Sequence, residues 1–425
     1  MKTKLEVAIP YNKGTFVVSL SDTHLLGIVE PNEVENPKSQ QELLATINTP
    51  EFHEFLAFPG SLLVIINDGT RPTPTRLLLS AIKGELLEAN AKFIIATGAH
   101  RGPTEEEYEF IFGSTYEVFK DRVFVHDARC DEAMVYIGTS SNGTKLLLNQ
   151  LVVNAGKILV IGSVEPHYFA GYTGGRKAFL PGTAAYVSIE QNHKLALSSE
   201  ATSLALVGNP VHEDMMDAVS LIKTPVYSFM TVLDKNHQLA GLFSGSLSDS
   251  FQAAIDSANS VFVTEISQKA DIVVTVARYP MDVDLYQAQK AMDNAKLALK
   301  DGGTMILIAA CREGVGDQAF SNLLSSSDTP EKVLESISRE YKLGYHKAAK
   351  MAEVFSWATV EILSVLDDKL LESLFFKPIH DLQQALDVAI SRHGSVDRPA
   401  KVLFLLDGCV NVPKVKDDTD GVMMK

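Results

Sequence analysis

The stretch Lys157-Ile-Leu-Val-Ile-Gly-Ser-Val-Glu165 has almost no polar alternation, and a glycine-rich segment follows it, His167-Tyr-Phe-Ala-Gly-Tyr-Thr-Gly-Gly-Arg-Lys177. A short apolar run of this kind is typical of a strand that is covered on both faces, as in parallel α/β sheets. In such sheets ligands bind beyond the carboxyl ends of the strands. The stretch therefore predicts an α/β fold with a binding loop directly after a buried strand.

Short apolar runs alternate with longer amphipathic stretches along all 425 residues, a length that exceeds one ordinary core. We predict two α/β domains with mainly parallel sheets and the active site in the cleft between them. Residues 1–266 would form a cofactor-binding catalytic domain, and residues 267–425 a Rossmann-like domain. The main predicted strands lie at residues 62–66, 93–96, 123–125, 158–161, 272–276, 305–309, 360–363 and 402–406. The predicted helices include residues 75–88, 284–300, parts of 329–357, and 378–392.

The bulk composition excludes several functional classes. A net charge of −15 argues against a nucleic-acid surface, which needs clustered lysine and arginine. The three cysteines are far apart and form no C-x-x-C pair, so neither a disulfide framework nor a thiolate metal site is indicated. The chain starts without the apolar core of a signal peptide, and its apolar runs are shorter than the ~20 residues of a membrane helix. These features predict a cytoplasmic enzyme without nucleic-acid or membrane partners.

Two segments that follow predicted strands carry side chains suited to catalysis. Asp68, Thr70 and Arg71 lie in a turn, where Arg71 is either a surface residue beside a helix cap or a fork for a carboxylate or phosphate. His100 lies between a strand and a helix, and alone it would be interpreted as a capping residue. Because His167 occupies another strand-end loop, the two imidazoles can face opposite sides of one substrate.

The glycine-rich segment and the helix after it add a lysine and a third histidine. Gly174 and Gly175 expose backbone N–H groups that can hold a phosphorylated cofactor, although the spacing is not that of a Walker A loop. Arg176 disfavours the charged form of the adjacent Lys177, which favours a nucleophilic role for this amine. His193 is either a surface helix residue or a single imidazole ligand to a soft transition metal.

A fourth segment follows a strand of the predicted C-terminal domain. Tyr286, Gln287 and Lys290 are three or four residues apart and lie near one face of the predicted helix. A solvated helix face explains the lysine and the glutamine. The tyrosine beside them favours a substrate wall contributed by the second domain.

Taken in order, these segments resemble the nickel-pincer-nucleotide-dependent lactate racemase family over residues 60–310 or so. The shared motifs are N-D-G-T-R-P, A-T-G-A-H-R, H-Y-F-A-G-Y-T-G-G-R-K-A-F-L-P-G, Q-N-H and Y-Q-A-Q-K. The resemblance implies a pyridinium-type mononucleotide that is joined to a lysine and carries nickel through carbon and sulfur. It implies Lys177 as the covalent attachment point, His193 as the nickel ligand, His100 and His167 as paired acid/bases, Arg71, Tyr286, Gln287 and Lys290 as substrate-binding residues, and Asp68, Thr70, Gly174, Gly175 and Arg176 as cofactor-binding residues.

The implied chemistry suits a 2-hydroxy acid. Its α-hydrogen is barely acidic, so simple proton removal is a poor route to racemisation. Passing this hydrogen as a hydride to an electron-poor cofactor, while a base takes the hydroxyl proton, leaves a flat 2-keto acid. Hydride return to either face gives either configuration. Two histidines suit the two enantiomers at neutral pH, and an arginine and a lysine would hold the carboxylate.

One position departs from the family pattern. The pocket tryptophan of the lactate enzyme aligns with His346, whereas the single tryptophan of this chain, Trp357, lies about three helical turns further on. A polar side chain at this wall predicts a substrate that is longer or more polar than lactate.

Two other functions fit parts of the pattern. A nucleotide-dependent transferase or ligase would use residues 174–177 for a phosphate, but the sequence shows no paired-carboxylate motif such as a Walker B strand. A non-catalytic relative that only binds the cofactor would need neither His100 nor His167. The racemase interpretation also predicts partner proteins that make and insert the cofactor, so a recombinant chain can be empty. It leaves the oligomeric state open, with a homodimer as one option.

Overall fold

A computed structural model describes residues 3–12, 14–34 and 37–416, which form two compact units. One unit is Glu33–Val261, and the other combines Met1–Asn32 with Phe262–Lys425. The sequence pattern predicted one domain for all of residues 1–266. The contacts assign the N-terminal strands to the C-terminal unit instead, because the strand Leu25–Val29 pairs in parallel with the strand Val402–Leu405.

The elements are numbered in chain order. The strands are β1 (Lys4–Tyr11), β2 (Gly14–Ser21), β3 (Leu25–Val29), β4 (Leu62–Asn67), β5 (Lys92–Ala96), β6 (Val123–Val125), β7 (Met134–Thr139), β8 (Lys145–Asn149), β9 (Lys157–Ser163), β10 (Pro166–His167), β11 (Gly171–Tyr172), β12 (Val226–Leu233), β13 (Leu239–Ser246), β14 (Val263–Ile266), β15 (Ala270–Val276), β16 (Leu299–Ile308), β17 (Thr359–Leu363), β18 (Lys377–Pro378), β19 (Val402–Leu405) and β20 (Val412–Val415). The α-helices are α1 (Gln40–Leu44), α2 (Pro50–Ala57), α3 (Thr75–Ala81), α4 (Lys83–Glu88), α5 (Glu105–Phe112), α6 (Tyr116–Phe119), α7 (Gln150–Val153), α8 (Tyr186–Lys194), α9 (Pro210–Ser220), α10 (Leu247–Phe262), α11 (Leu285–Ala295), α12 (Gln318–Leu324), α13 (Pro330–Arg339), α14 (Tyr345–Trp357), α15 (Asp368–Ser373) and α16 (Leu382–His393).

The unit Glu33–Val261 is built on a six-stranded sheet in the order β13-β12-β9-β4-β5-β6. All neighbouring strands are parallel except β12 and β13. Every residue of β9 is buried, and the first five of β4 are buried as well, as expected of central strands covered on both faces. The apolar run that precedes the glycine-rich segment is therefore a central strand of this sheet.

The other unit contains a second six-stranded sheet, in the order β18-β17-β16-β15-β19-β3, whose neighbours are all parallel. Strand β15 is buried along its whole length. The prediction of two α/β domains with mainly parallel sheets is confirmed. The Rossmann-like character of this unit and a cleft that holds the active site stay predictions.

Two differences from the predicted elements have local causes. The helix predicted over residues 75–88 is broken at Ile82 into α3 and α4, because Ile82 leaves helical geometry with φ −114° and ψ 22°. Strand β12 was not predicted, because Ser228 and Thr231 interrupt its apolar run. Both are buried, and each is hydrogen-bonded: the hydroxyl of Thr231 donates to the Gly162 carbonyl over 3.2 Å, and that of Ser228 lies 2.5 Å from the Ser250 hydroxyl.

Within the described part of the chain, no helix is long and apolar enough to cross a membrane.

Candidate active site

The strands β5, β4 and β9 are parallel neighbours, so their carboxyl ends meet at one edge of the sheet. The turn with Asp68 and Arg71 follows β4, and the turn with His100 follows β5. The glycine-rich segment follows β9, and the guanidinium of Arg71 lies 3.6 Å from a carboxylate oxygen of Glu165 in the same loop. The sheet thus brings together three of the four segments that the sequence singled out.

Asp68 organises the first two turns. Its side chain is almost fully buried, and Nδ1 of His100 lies 2.8 Å from Oδ2. Oδ1 accepts hydrogen bonds from the Thr70 hydroxyl at 2.6 Å and from the Thr70 amide at 3.2 Å. Burial alone would raise the pKa of Asp68, but the bonds from His100 and Thr70 and the charges of His100 and Arg71 outweigh it and lower the pKa. The carboxylate is therefore ionised and can only accept, so Nδ1 of His100 carries the proton of this hydrogen bond, and the tautomer with that proton has its lone pair on Nε2.

Nδ1 of His167 accepts a hydrogen bond, whereas Nδ1 of His100 donates one. The bond to His167 is 3.3 Å long and comes from the backbone N–H of Ala170, so the neutral ring carries its proton on Nε2. The ring also packs against Phe169 with its centroid 4.5 Å away in an edge-to-face arrangement. One histidine of the predicted pair thus presents a proton acceptor at Nε2, and the other presents a donor.

The two glycines of the loop are required by its shape. Gly174 and Gly175 adopt φ angles of 77° and 53°, and a Cβ atom on Gly174 would lie 2.7 Å from a methyl group of Val164. The next residue, Arg176, is 1% exposed, and its guanidinium donates to backbone carbonyls of the same loop. The structure therefore turns Arg176 inward, beneath the loop, whereas the family resemblance implied a contact with the cofactor.

Lys177 has the properties of a nucleophilic amine. Burial lowers its pKa well below the usual value, and the positive charges of Arg71 and Arg176 lower it further, against a smaller opposing effect of Glu165. More of this amine is therefore in the neutral form than in an exposed lysine, and the neutral amine is the form that makes a covalent bond. Its Nζ lies 5.6 Å from the ring centroid of Phe169.

His193 lies on α8 and packs edge-to-face on the same Phe169 ring, with centroids 5.2 Å apart. Burial, followed by the charge of Lys177, lowers its pKa to about 3, so the imidazole is neutral at neutral pH, the form that binds metals. Among the described residues, no three His, Cys, Asp or Glu side chains gather in a metal-binding arrangement. His193 could therefore offer a metal a single imidazole, without a cluster of such side chains around it in the described part of the chain.

The fourth segment lies in the other unit and forms the start of α11. Tyr286, Gln287 and Lys290 are partly exposed on one face, while Ala288 and Gln289 are buried on the other. This arrangement agrees with the helix face that the spacing predicted.

The backbone N–H groups at the start of α11 are already bonded. The N–H groups of Leu285 and Tyr286 donate to the carbonyls of Gly314 and Val315, and the Asp284 carboxylate accepts from the N–H of Gln287. An anion bound at this helix start would therefore depend on side chains. Burial, followed by the charges of two nearby aspartates, raises the pKa of Tyr286 to about 12, so its hydroxyl stays a donor.

His346 and Lys347 lie on the first turn of α14, in the same unit. His346 is 5% exposed, and its Nδ1 lies 3.1 Å from the Tyr341 hydroxyl. Nζ of Lys347 donates to the Tyr286 carbonyl over 2.9 Å and lies 3.4 Å from the centre of the Tyr286 ring. The sequence patterns indicated no functional role for Lys347 or Glu165. A lysine in an amphipathic helix gives no signal of burial, whereas the place of Glu165 directly after β9 could have identified it.

Comparisons with known proteins agree with the resemblance. The family model "Lactate racemase N-terminal domain" matches residues 11–204, and "Lactate racemase C-terminal domain" matches residues 265–412. The lactate racemase of Thermoanaerobacterium thermosaccharolyticum is 32% identical and aligns over 95% of this chain and 97% of its own length. The lactate racemase of Lactiplantibacillus plantarum is 28% identical and aligns over 95% of this chain and 98% of its own length.

Solved structures show the same relationship. The lactate racemase apoprotein of T. thermosaccharolyticum superimposes with a TM-score of 0.87 at 31% identity, over 96% of this chain and 100% of that one. A Thermotoga maritima protein superimposes with a TM-score of 0.68 at 16% identity, over 91% of this chain and 100% of that one, which shows a shared fold.

Proposed function

Since the chain belongs to the lactate racemase family and is therefore an isomerase, we propose that it inverts C2 of a 2-hydroxy acid by reversible hydride transfer to a lysine-tethered nickel-pincer nucleotide. The observation that carries this proposal is the placement of Lys177 and His193 around one phenylalanine ring. An amine with a lowered pKa and a neutral imidazole are the two groups that the tethered nickel cofactor requires from the protein.

The residues present fit the cofactor in their chemistry. When bound, it would supply an electron-poor carbon that accepts the α-hydrogen of the substrate as a hydride and returns it. Lys177 would form the covalent link, and His193 would be the protein ligand to nickel. The turn at Gly174 and Gly175 would let the backbone approach the nucleotide closely, with Asp68 and Thr70 nearby.

The two histidines would accept and return the proton of the substrate hydroxyl group. His100 can accept it at Nε2, because Asp68 fixes the other ring proton and places a negative charge beside the imidazolium that forms. His167 would serve the opposite enantiomer. To accept a proton at Nε2 its ring must carry the other proton on Nδ1, which requires the contact with the Ala170 N–H to open.

The carboxylate of the substrate would be held by Arg71 and Lys290, with Tyr286 and Gln287 as further donors. At the wall where the lactate enzyme has tryptophan, His346 and the Tyr341 hydroxyl form a polar pair. A polar wall can hydrogen-bond extra hydroxyl or carboxyl groups, and a bare methyl group would leave it unpaired. We therefore propose a substrate that is longer or more polar than lactate.

A chain that only stored the cofactor would have no use for the ionised Asp68 beside His100. We propose instead a cytoplasmic enzyme that depends on partner proteins for cofactor synthesis and insertion.

The decisive experiment is an intact-mass measurement and a nickel assay on protein produced with and without the cofactor-making enzymes. The loaded form should carry added mass that peptide mapping places on Lys177, and racemisation should appear only in that form. Lys177→Arg, which keeps a positive charge but is a far poorer nucleophile, should remain unmodified and inactive. An unmodified Lys177 in fully active enzyme would disprove the tethered cofactor.

A further inference from the structure

Arg176 is among the largest fully buried side chains of the described residues, with 1% exposure. A buried guanidinium is ordinarily paired with a carboxylate. Here, within the part of the chain that the structure describes, no acidic side chain forms an ion pair with it. Its donors go instead to the carbonyls of Ala170 at 2.6 Å, Gly174 at 3.3 Å and Thr173 at 3.4 Å, and its flat face lies 4.5 Å from the ring centre of Phe251.

The carbonyls that Arg176 holds belong to the loop between the predicted base and the predicted attachment point. The peptide groups of Ala170 make the link to His167: the carbonyl accepts from Arg176, and the N–H donates to Nδ1 of His167. On the other side, Arg176 is joined directly to Lys177, whose backbone N–H donates to the Gly174 carbonyl over 3.1 Å. One buried side chain therefore connects both functional residues of the loop.

We propose that Arg176 is a positioning residue that acts from beneath the loop: its hydrogen bonds set, through Ala170, the resting tautomer of His167 in the protein without cofactor, and its charge, which no acidic side chain of the described residues offsets, disfavours the charged form of the adjacent Lys177 amine. This inference rests on the proposed roles of His167 and Lys177 and extends them by moving Arg176 from cofactor binding to the support of both residues. Burial lowers the pKa of Arg176 to about 9, which leaves it charged at neutral pH. Its charge is among the causes of the low pKa of Lys177.

The test uses the full chain without cofactor, so it does not depend on whether the chain is a racemase. Arg176→Met removes the charge and the donors but keeps much of the side-chain volume. Asn209→Ala is the matched control: the Asn209 side chain is fully buried and donates to the carbonyls of Phe169 and Ala205 over 3.0 Å, so it supports the same loop without a charge. Two properties are measured: the 15N chemical shifts of the His167 ring, which report its tautomer, and the pH dependence of Lys177 acylation, followed by peptide mass spectrometry.

For the wild type we expect a His167 ring protonated on Nε2 and Lys177 acylation at neutral pH. In Arg176→Met the His167 chemical shifts should report a mixture of tautomers. The pH profile of Lys177 acylation should move to higher pH, so that the acylation rate at a fixed pH below the profile falls about tenfold for each pH unit of the shift. Asn209→Ala should leave the Lys177 profile at its wild-type position.

The proposal fails if Arg176→Met retains both wild-type signatures, or if Asn209→Ala moves the Lys177 profile by as much as Arg176→Met does. The second outcome would reduce Arg176 to a structural role. If Arg176→Met does not fold, Phe251→Leu takes its place, because it removes the ring beside the guanidinium and retains the charge. It should perturb the His167 signals and spare the Lys177 profile; wild-type His167 signals, or a moved Lys177 profile, would contradict the proposal.

Discussion

The carboxylate of Asp68 accepts a 2.8 Å hydrogen bond from Nδ1 of His100, and the Thr70 hydroxyl holds the other carboxylate oxygen at 2.6 Å. The aspartate–histidine pair of hydrolytic triads has the same hydrogen bond, through which the carboxylate fixes the tautomer of the histidine base.

We predict that Asp68→Asn lowers the racemisation rate by ~10² or more, because an amide can also donate to Nδ1 and so select the wrong tautomer; the corresponding change in a serine protease costs ~10⁴. Thr70→Val should cost less, since it removes one supporting bond. The rates should be measured with cofactor-loaded protein, together with nickel content. If Asp68→Asn loses activity only in proportion to lost nickel, Asp68 holds the cofactor and does not orient His100.

His100 and His167 should each be necessary for both directions of the reaction. Substitution of either residue by alanine should cost at least the ~10²-fold that general acid–base catalysis typically contributes. Initial rates are measured from each enantiomer separately, with cofactor loading verified by intact mass. A single variant that keeps near-normal rates in both directions would rule out the two-base mechanism.

His193→Ala should reduce bound nickel and activity together, because the neutral imidazole of His193 is the proposed protein ligand. His212→Gln is a suitable control, since His212 is also partly buried and has a pKa lowered to about 4, yet it is not assigned to the site. Metal analysis of the two variants after identical loading gives the comparison. Full nickel occupancy in His193→Ala would refute this ligand assignment.

The substrate preference should favour acids larger or more polar than lactate, because His346 and Tyr341 form a polar pair. Lactate, malate, 2-hydroxyglutarate, phenyllactate and aldonic acids are compared by kcat/KM with loaded enzyme. In His346→Trp the preference should move toward lactate, since an apolar wall gains nothing from added hydroxyl groups. A clear preference of the unaltered enzyme for lactate over every larger acid would contradict the proposed role of His346 in substrate selection.

Acid should destabilise the unit that contains His193 and His212. Burial first, and then a nearby positive charge, lowers the pKa of His193 to about 3 and that of His212 to about 4, from a usual value of 6.5. Between the folded and unfolded pKa values the unfolded chain binds more protons, so stability is greatest above pH ~6.5 and declines as the pH falls. Each histidine lowers the free energy of unfolding by about 1.4 kcal/mol per pH unit in its window.

The test of this linkage compares chemical denaturation of the wild type and His212→Gln at pH 7 and pH 5. The variant should lose less stability between the two pH values, because it lacks one of the two groups that take up a proton on unfolding. Equal losses in both proteins would mean that His212 does not titrate differently on folding.

Several parts of the fold could be predicted because they depend on local sequence. The eight apolar runs correspond to β4, β5, β6, β9, β15, β16, β17 and β19. Central strands such as β9 and β15 are buried on both faces, which requires an unbroken apolar stretch, whereas β6 is an edge strand with exposed residues. The face of α11 with Tyr286, Gln287 and Lys290 follows from helical spacing alone. The order of motifs along the chain also gave the family.

Tertiary structure alone decided where long-range partners meet. Strand β3 joins the C-terminal sheet beside β19, more than 370 residues away, and its own sequence does not specify that partner. The same applies to Arg176 and Lys347. The family resemblance implied a cofactor contact for Arg176, yet its guanidinium binds carbonyls of its own loop and lies beside Phe251 from another segment. Lys347 lies against the carbonyl and the ring of Tyr286, a contact that no sequence pattern indicated. The residue types and their order thus come from the sequence. The hydrogen-bond partners of a buried charged side chain depend on segments that only folding brings together. These partners determine whether the side chain is available to bind a ligand or instead supports the surrounding loop.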